Sequence, residues 1–153
     1  MREILFKAKR KDNGEWIEGH YYKMSETTYC FKEDYKRNPV QEHHYILQER
    51  MTDWGLPNQV VQIEIDPETL CQFTGLCDRY GNKIWENDIL KAHLDDDYPE
   101  DVTFEKVEWN NFGWTLHEPG CTDWGYIDTS DSEIYEVVGN IFDNPELLQE
   151  DTK

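Results

Sequence analysis

The sequence predicts a mainly β protein with minor α structure: a small SH3-like barrel in the carboxy-terminal half, preceded by an amino-terminal β-hairpin or sheet layer. Three observations predict it. Short runs such as "EILFKAKRK" and "QVVQIEID" alternate apolar and polar side chains, the period of a strand buried on one face. Turn residues punctuate those runs at hairpin spacing, in "KDNG", "DRYGNK" and "NNFG". Aromatics are 14% of the 153 residues, against a modest apolar total of 37%, and a few large rings that suit a pleated surface can then fill a core. The length fits one compact domain or two small ones. We expect a β-rich amino-terminal part over 1–71 and the barrel over 72–153.

The elements follow in order. In "EILFKAKRK", Ile4, Phe6 and Ala8 share one face, opposite Leu5, Lys7 and Lys9. Asn13-Gly14 suits a tight turn with left-handed backbone angles, and "EWIEGHYYKM" returns as the partner strand. "TTYCFK" reads as a third strand. Residues 33–58 are polar and broken by Pro39, Gly55 and Pro57, so they read as a long loop or as one holding a short helix near 40–51. In "QVVQIEID", Val61, Ile63 and Ile65 alternate against Gln62 and Glu64. Asp66 then suits a helix N-cap with Pro67 at the first helical position.

The most patterned stretch is "TGLCDRYGNKIWENDILK", residues 74–91. Thr74-Gly75 is expected to break one strand, and Gly81-Asn82 to tip a hairpin where positive φ is cheap. "ENDILKAHL" opens the next strand. Asp78, Glu86 and Asp88 therefore read as turn residues rather than as a catalytic pair. Further on, "VTFEKVEW" and "GWTLHE" are strands joined by "NNFG", although the inward parity of the first is ambiguous. "CTDWGYIDTSDS" reads as a polar loop and "EIYEVVGNIF" as the last strand. "DNPELLQ" reads as a short turn or helix capped by Asn144.

Charge narrows the partners. The net charge is -18. Residues 1–75 carry 10 Lys/Arg and 13 Asp/Glu, a balance of -3, whereas residues 76–153 carry 5 and 20, a balance of -15. An acidic half repels phosphate backbones, so direct nucleic-acid binding is not expected there. No apolar run reaches the roughly 20 residues of a membrane helix, and the start lacks a signal-type apolar stretch, so the expectation is a cytoplasmic protein without membrane contact. The cysteines, Cys30, Cys71, Cys77 and Cys121, form no C-x-x-C pair, and reduced thiols rather than a zinc site are expected.

No catalytic constellation can be named. His20, His43, His44, His93 and His117 sit in no nucleophile motif, and no phosphate-binding glycine loop is present. His43-His44 with Glu42 and Glu49 hints at a metal, but neighbours on a strand point to opposite faces. Asp95, Asp96, Asp97, Glu100 and Asp101 lack EF-hand spacing and read as a solvated loop. We therefore expect no catalytic residue, no metal and no cofactor. Trp109, Trp114 and Trp124 lie in the acidic half, where base stacking is disfavoured. They read as core, or as an aromatic patch for a protein partner.

Four segments resemble the YopX family of small, mostly phage- or prophage-encoded proteins: "REILFKAK…GEWIEGHYY", "IDPETLCQFTGLCDRYGNKIWENDILK", "VEWNNFGWTL" and "YEVVGNIFDNPELL". The second resembles the family's most specific motif. Asn87 stands where the family commonly has Gly before an Asp, and Cys71 where a Gly often precedes the Gln. Asn tolerates left-handed angles, so that turn can survive. The resemblance implies a β-rich fold, a mobile-element origin and self-assembly, with no assigned activity. The expectation is a non-enzymatic accessory protein acting as a homo-oligomer, with a basic protein as a further partner. The alternative is an acidic DNA mimic that inhibits a host DNA-binding or restriction protein.

Overall fold

The computed structural model describes residues 1–93, 102–130 and 133–149. The chain divides into two compact units, Ile4–Leu70 and a second of Met1–Glu3 with Cys71–Lys153. The protein is mainly β, and its strands pair antiparallel in two sheets.

The amino-terminal unit holds β1 (Phe6–Lys9), β2 (Trp16–Ser25), α1 (Lys32–Arg37), β3 (Glu42–Arg50) and β4 (Gln59–Glu64). Its strands lie in the order β4-β3-β2-β1. Ala8, Ile46 and Ile65 are buried at its centre, with Phe6, Ile17, Tyr21 and Leu70 packed around them. The sheet curls, so the chain leaving β4 meets the end of β1. The Lys11 N–H donates to the Glu64 carbonyl at 3.0 Å, and the Asp66 N–H to the Lys9 carbonyl at 2.9 Å. Gly19 allows β2 and β3 their close approach, because a Cβ there would collide with the Leu47 carbonyl oxygen and Ile46 Cγ2. A 3-10 turn, Pro67–Thr69, ends the unit. It is capped as expected, with Asp66 Oδ1 accepting from the Glu68 N–H at 3.1 Å.

Three expectations for this unit are corrected. "TTYCFK" pairs with nothing as a strand, and its last residue leads into α1. That short helix carries Glu33 and Asp34 in its first turn and Lys36 and Arg37 in its last, which suits the helix dipole. Residues 42–50 are neither loop nor helix. They form β3, paired with β2 on one side and β4 on the other. Tertiary pairing overrides the weak local pattern of "EHHYILQER", in which only Ile46 is fully buried. In the β1–β2 turn only Gly14 has positive φ (73°), not Asn13. The loop is accordingly longer than two residues, closed by Arg10 N–H to Glu15 O at 2.9 Å.

The second unit holds β5 (Cys71–Cys77), β6 (Lys83–Trp85), β7 (Asp88–His93), β8 (Val102–Asn110), β9 (Gly113–His117), β10 (Trp124–Tyr126) and β11 (Tyr135–Asn140). β5 and β6 form a hairpin. The other five make a sheet in the order β10-β9-β8-β7-β11. Ile84, Leu90, Val107, Trp114, Leu116 and Ile127 form its core, joined by Leu76, Tyr135 and Val137. Each such aliphatic side chain contributes about 1.5–3 kcal/mol when fully buried. Among the described residues the ladder ends at β10 and β11 without a pairing between them, so the sheet is open rather than a closed barrel.

The ambiguous parity of β8 has a physical cause. Val107 is buried in the core. Phe104, of the opposite parity, is half-buried and lines a cavity of about 150 Å³ with Leu147 and Leu148 of the 3-10 turn Pro145–Leu148. Both faces of this strand are covered, and neither alternation stands out. Three further expectations are corrected. β5 does not end at Thr74-Gly75. It runs to Cys77 with a register shift, Gly75 having φ 89°. The loop "CTDWGYIDTSDS" contains β10, whose three residues pair with β9. Asn144 does not cap its turn by its side chain. Its Oδ1 accepts from the Asn140 N–H instead, at 3.4 Å.

Candidate partner-contact surface

The patterned stretch from Thr74 to Lys91 is a set of backbone clamps. Asp78 is buried. Its Oδ1 accepts from the N–H groups of Tyr80 and Asn82 at 2.9 and 2.8 Å, and its Oδ2 from the Val137 N–H at 3.0 Å and Asn82 Nδ2 at 3.2 Å. One carboxylate thus closes the β5–β6 turn and fastens it to β11. Burial alone would push this carboxyl up. The bonds from Val137, from the backbone and side chain of Asn82 and from Tyr80 together outweigh it and hold the group below the usual aspartate range. Gly81 supplies the left-handed residue (φ 82°) of the same turn.

The polar residues around it do similar work. Asp88, also buried, accepts from the Trp85 N–H at 2.8 Å. Thr74 Oγ1 donates to the Ile84 carbonyl at 2.8 Å. Asn87 takes φ 66°, donates its N–H to Val107 O at 2.9 Å and accepts from Ile141 N–H at 3.1 Å. Its side-chain Nδ2 lies 3.7 Å from Cys71 Sγ. Asn87 and Cys71, which stand at the two positions where glycine was expected, are therefore in contact with each other. Cys71 is buried, whereas Cys30, Cys77 and Cys121 are exposed.

The three tryptophans separate. Trp114 is 7% exposed and belongs to the core, while Trp109 and Trp124 are 50% and 45% exposed. Trp109 and Trp114 are register partners across β8 and β9, and their rings meet edge to face at 5.0 Å between centroids. With Arg2, Gln72 and Glu86 they line a cavity of about 380 Å³. Glu86 is fixed there by a mutual contact. Its N–H donates to Gln72 O at 2.9 Å, and its Oε2 accepts from the Gln72 N–H at 3.3 Å. Trp124 lies apart on β10, against Tyr126 at 5.3 Å. Local pattern alone does not bring Gln72 and Glu86 beside Trp109, because that depends on the irregular register within β5.

Two surface features of the amino-terminal unit complete the inventory. His43 Nδ1 lies 3.0 Å from Glu64 Oε1, and Nε2 lies 2.8 Å from Glu26 Oε1. The bonds to Glu64 and then Glu26 hold its imidazole above the usual histidine range, against a smaller opposing effect of burial. Lys11 reaches the same Glu64 oxygen at 3.2 Å. His44 turns elsewhere, to the Tyr21 hydroxyl at 2.6 Å, so the adjacent histidines do not converge. Among the described residues no group of three or more His, Cys, Asp or Glu is placed to hold a metal. The acidic run Asp95, Asp96, Asp97, Glu100 and Asp101 lies outside the described residues. The second feature was not anticipated. The β3–β4 connection and the start of β4 expose Met51, Trp54, Leu56 and Val60. Nothing in the local pattern of residues 51–60 marks these side chains as exposed, because exposure depends on what packs over them.

These features are those of a two-unit antiparallel β protein whose buried acids brace turns and whose aromatic side chains reach solvent. A family model described as YopX protein matches residues 5–149. The chain belongs to the YopX family. The crystal structure of protein EF1440 from Enterococcus faecalis is similar over 97% of this chain and 100% of that one, with a TM-score of 0.55 and 20% identity. At that identity the likeness concerns the fold. No curated protein matches the chain. No helix among the described residues is long and apolar enough to cross a membrane.

Proposed function

We propose that this protein is a non-enzymatic accessory protein of a phage or prophage that acts through protein contacts and assembles with copies of itself. The observation that carries the reading is the edge of the amino-terminal sheet. β4 is the last strand of the order β4-β3-β2-β1. Its sequence, "QVVQIE", has no Lys, Arg or Pro to guard an open edge. Val60 on the strand and Met51, Trp54 and Leu56 before it stand exposed. Charge favours the same place. Two copies each carrying -18 repel, and the repulsion is weakest between their near-neutral residues 1–75.

A second copy pairing along β4 would satisfy the open backbone groups and cover the apolar side chains. Light scattering at low micromolar concentration tests this. The wild type is expected to be oligomeric and Val60→Lys monomeric, since an edge lysine opposes strand addition. A monomeric wild type would overturn the reading. We further read residues 72–153 as a variant of the SH3-like barrel. The order β10-β9-β8-β7-β11, a four-strand meander with the fifth strand returning beside the first, supports it.

A further inference from the structure

We propose that the cavity between Trp109, Trp114, Gln72 and Glu86 is a receptor for an arginine side chain on a basic protein partner. The inference deepens the reading of a contact protein by naming a second partner class, and it uses a surface separate from β4.

The chemistry of the walls selects the occupant. Trp109 is half exposed and offers an aromatic face, while the edge-to-face contact with Trp114 fixes its ring. A flat guanidinium stacks on such a face. Glu86 supplies a carboxylate at the same cavity, and its bond to the Gln72 N–H engages one oxygen, Oε2. A fork of N–H donors matches a carboxylate better than an ammonium does. The cavity, about 380 Å³, is roomy enough for one long side chain and a little of its backbone. The balance of -15 over residues 76–153 would draw a basic segment toward it and turn a phosphate away.

Arg2, from the irregular segment before β1, also lines this cavity. No hydrogen bond or ion pair of its side chain is seen among the described residues; its stem lies over Gly75, whose Cβ position is 3.6 Å from Arg2 Cδ. A partner arginine would take the place beside Glu86 and Trp109, with the like charge of Arg2 at the same cavity opposing it.

NMR of the full chain tests the proposal, with a short acetylated Gly-Arg-Gly-Arg-Gly peptide as probe and the indole N–H signals of Trp109 and Trp114 as readout. The peptide is expected to shift both signals, and the lysine version to bind more weakly. Trp109→Ala, at a half-exposed position, and Glu86→Gln, which keeps an oxygen for the Gln72 bond, are each expected to weaken binding by about five-fold or more. Arg2→Ala is expected to tighten it. Equal affinity for Glu86→Gln and wild type would overturn the proposal, as would shifts confined to other acidic surfaces. Adenosine monophosphate moving the two indole signals in place of the peptide would overturn it in favour of a nucleotide site. The Val60→Lys variant should bind the peptide unchanged, so failure here leaves self-assembly standing and the converse also holds.

Discussion

The two units solve the same problem, a short-stranded antiparallel sheet, by different means. The amino-terminal unit centres on three fully buried apolar residues, Ala8, Ile46 and Ile65, and its charged contacts lie on the surface around Glu64. Among the described residues the second unit buries eleven apolar residues and also sinks two carboxylates, Asp78 and Asp88, among backbone N–H groups. One is held by packing at a few positions, the other by packing joined to polar clamps. In the second unit, therefore, the acids of the patterned motif are tied to the geometry of the turns. In the first, charged groups can change with smaller consequences for the fold.

Substitutions should break this contrast in a definite order. Asp78→Ala leaves the N–H groups of Tyr80, Asn82 and Val137 without their acceptor. At about 1 kcal/mol or more for each buried donor, the expected loss is about 3–4 kcal/mol in urea unfolding. Ile46→Ala should cost about 3 kcal/mol by opening a cavity in the small amino-terminal core. Glu64→Gln, on the surface of that unit, should cost far less than Asp78→Asn. A loss from Glu64→Gln as large as that from Asp78→Asn would end the contrast. Gly81→Ala forces a side chain into φ 82° and should cost about 1 kcal/mol.

The pH response sharpens the comparison because its sign differs between the units. His43 is raised when folded. Its contribution is therefore complete below the unfolded imidazole value of 6.5 and is lost as pH rises through the higher folded value. Asp78 is lowered when folded. Its contribution is complete above the unfolded value of 3.8 and is lost as pH falls through the lower folded value. Thermal melts from pH 5 to 9 should show a shallow loss that His43→Gln removes. Melts from pH 5 to 2 should show a loss that Asp78→Asn diminishes. The smallest effect is expected of Asn87→Gly, which keeps the left-handed turn but gives up the contact with Cys71 Sγ. A change within about 1 kcal/mol is expected.

The legibility of the sequence followed the same division. Strands with one buried face and marked turns were readable: β1, β2, β4 and the stretch from β7 to β9 all stand where alternation and turn residues put them. β3 was not, because a strand paired on both sides in the sheet can carry His43, His44 and Gln48 at its half-buried positions without a clean period. β10 is three residues long, too short for any period to show. The turn chemistry of Asp66, Asp78 and Gly81 was readable because it is local. The separation of Trp109 and Trp124 from Trp114 was not, since exposure depends on which strands lie over each face. The cavity beside Glu86 needs the irregular β5 register as well.

The central claim is that self-assembly belongs to the near-neutral amino-terminal unit, along β4, and not to the aromatic edge of the acidic one. Amide hydrogen exchange measured at two protein concentrations tests it most directly. Protection at Gln59–Ile63 is predicted to rise with concentration while that at Trp124–Tyr126 stays constant. Concentration-independent exchange at β4, or protection that grows at β10 instead, would contradict it.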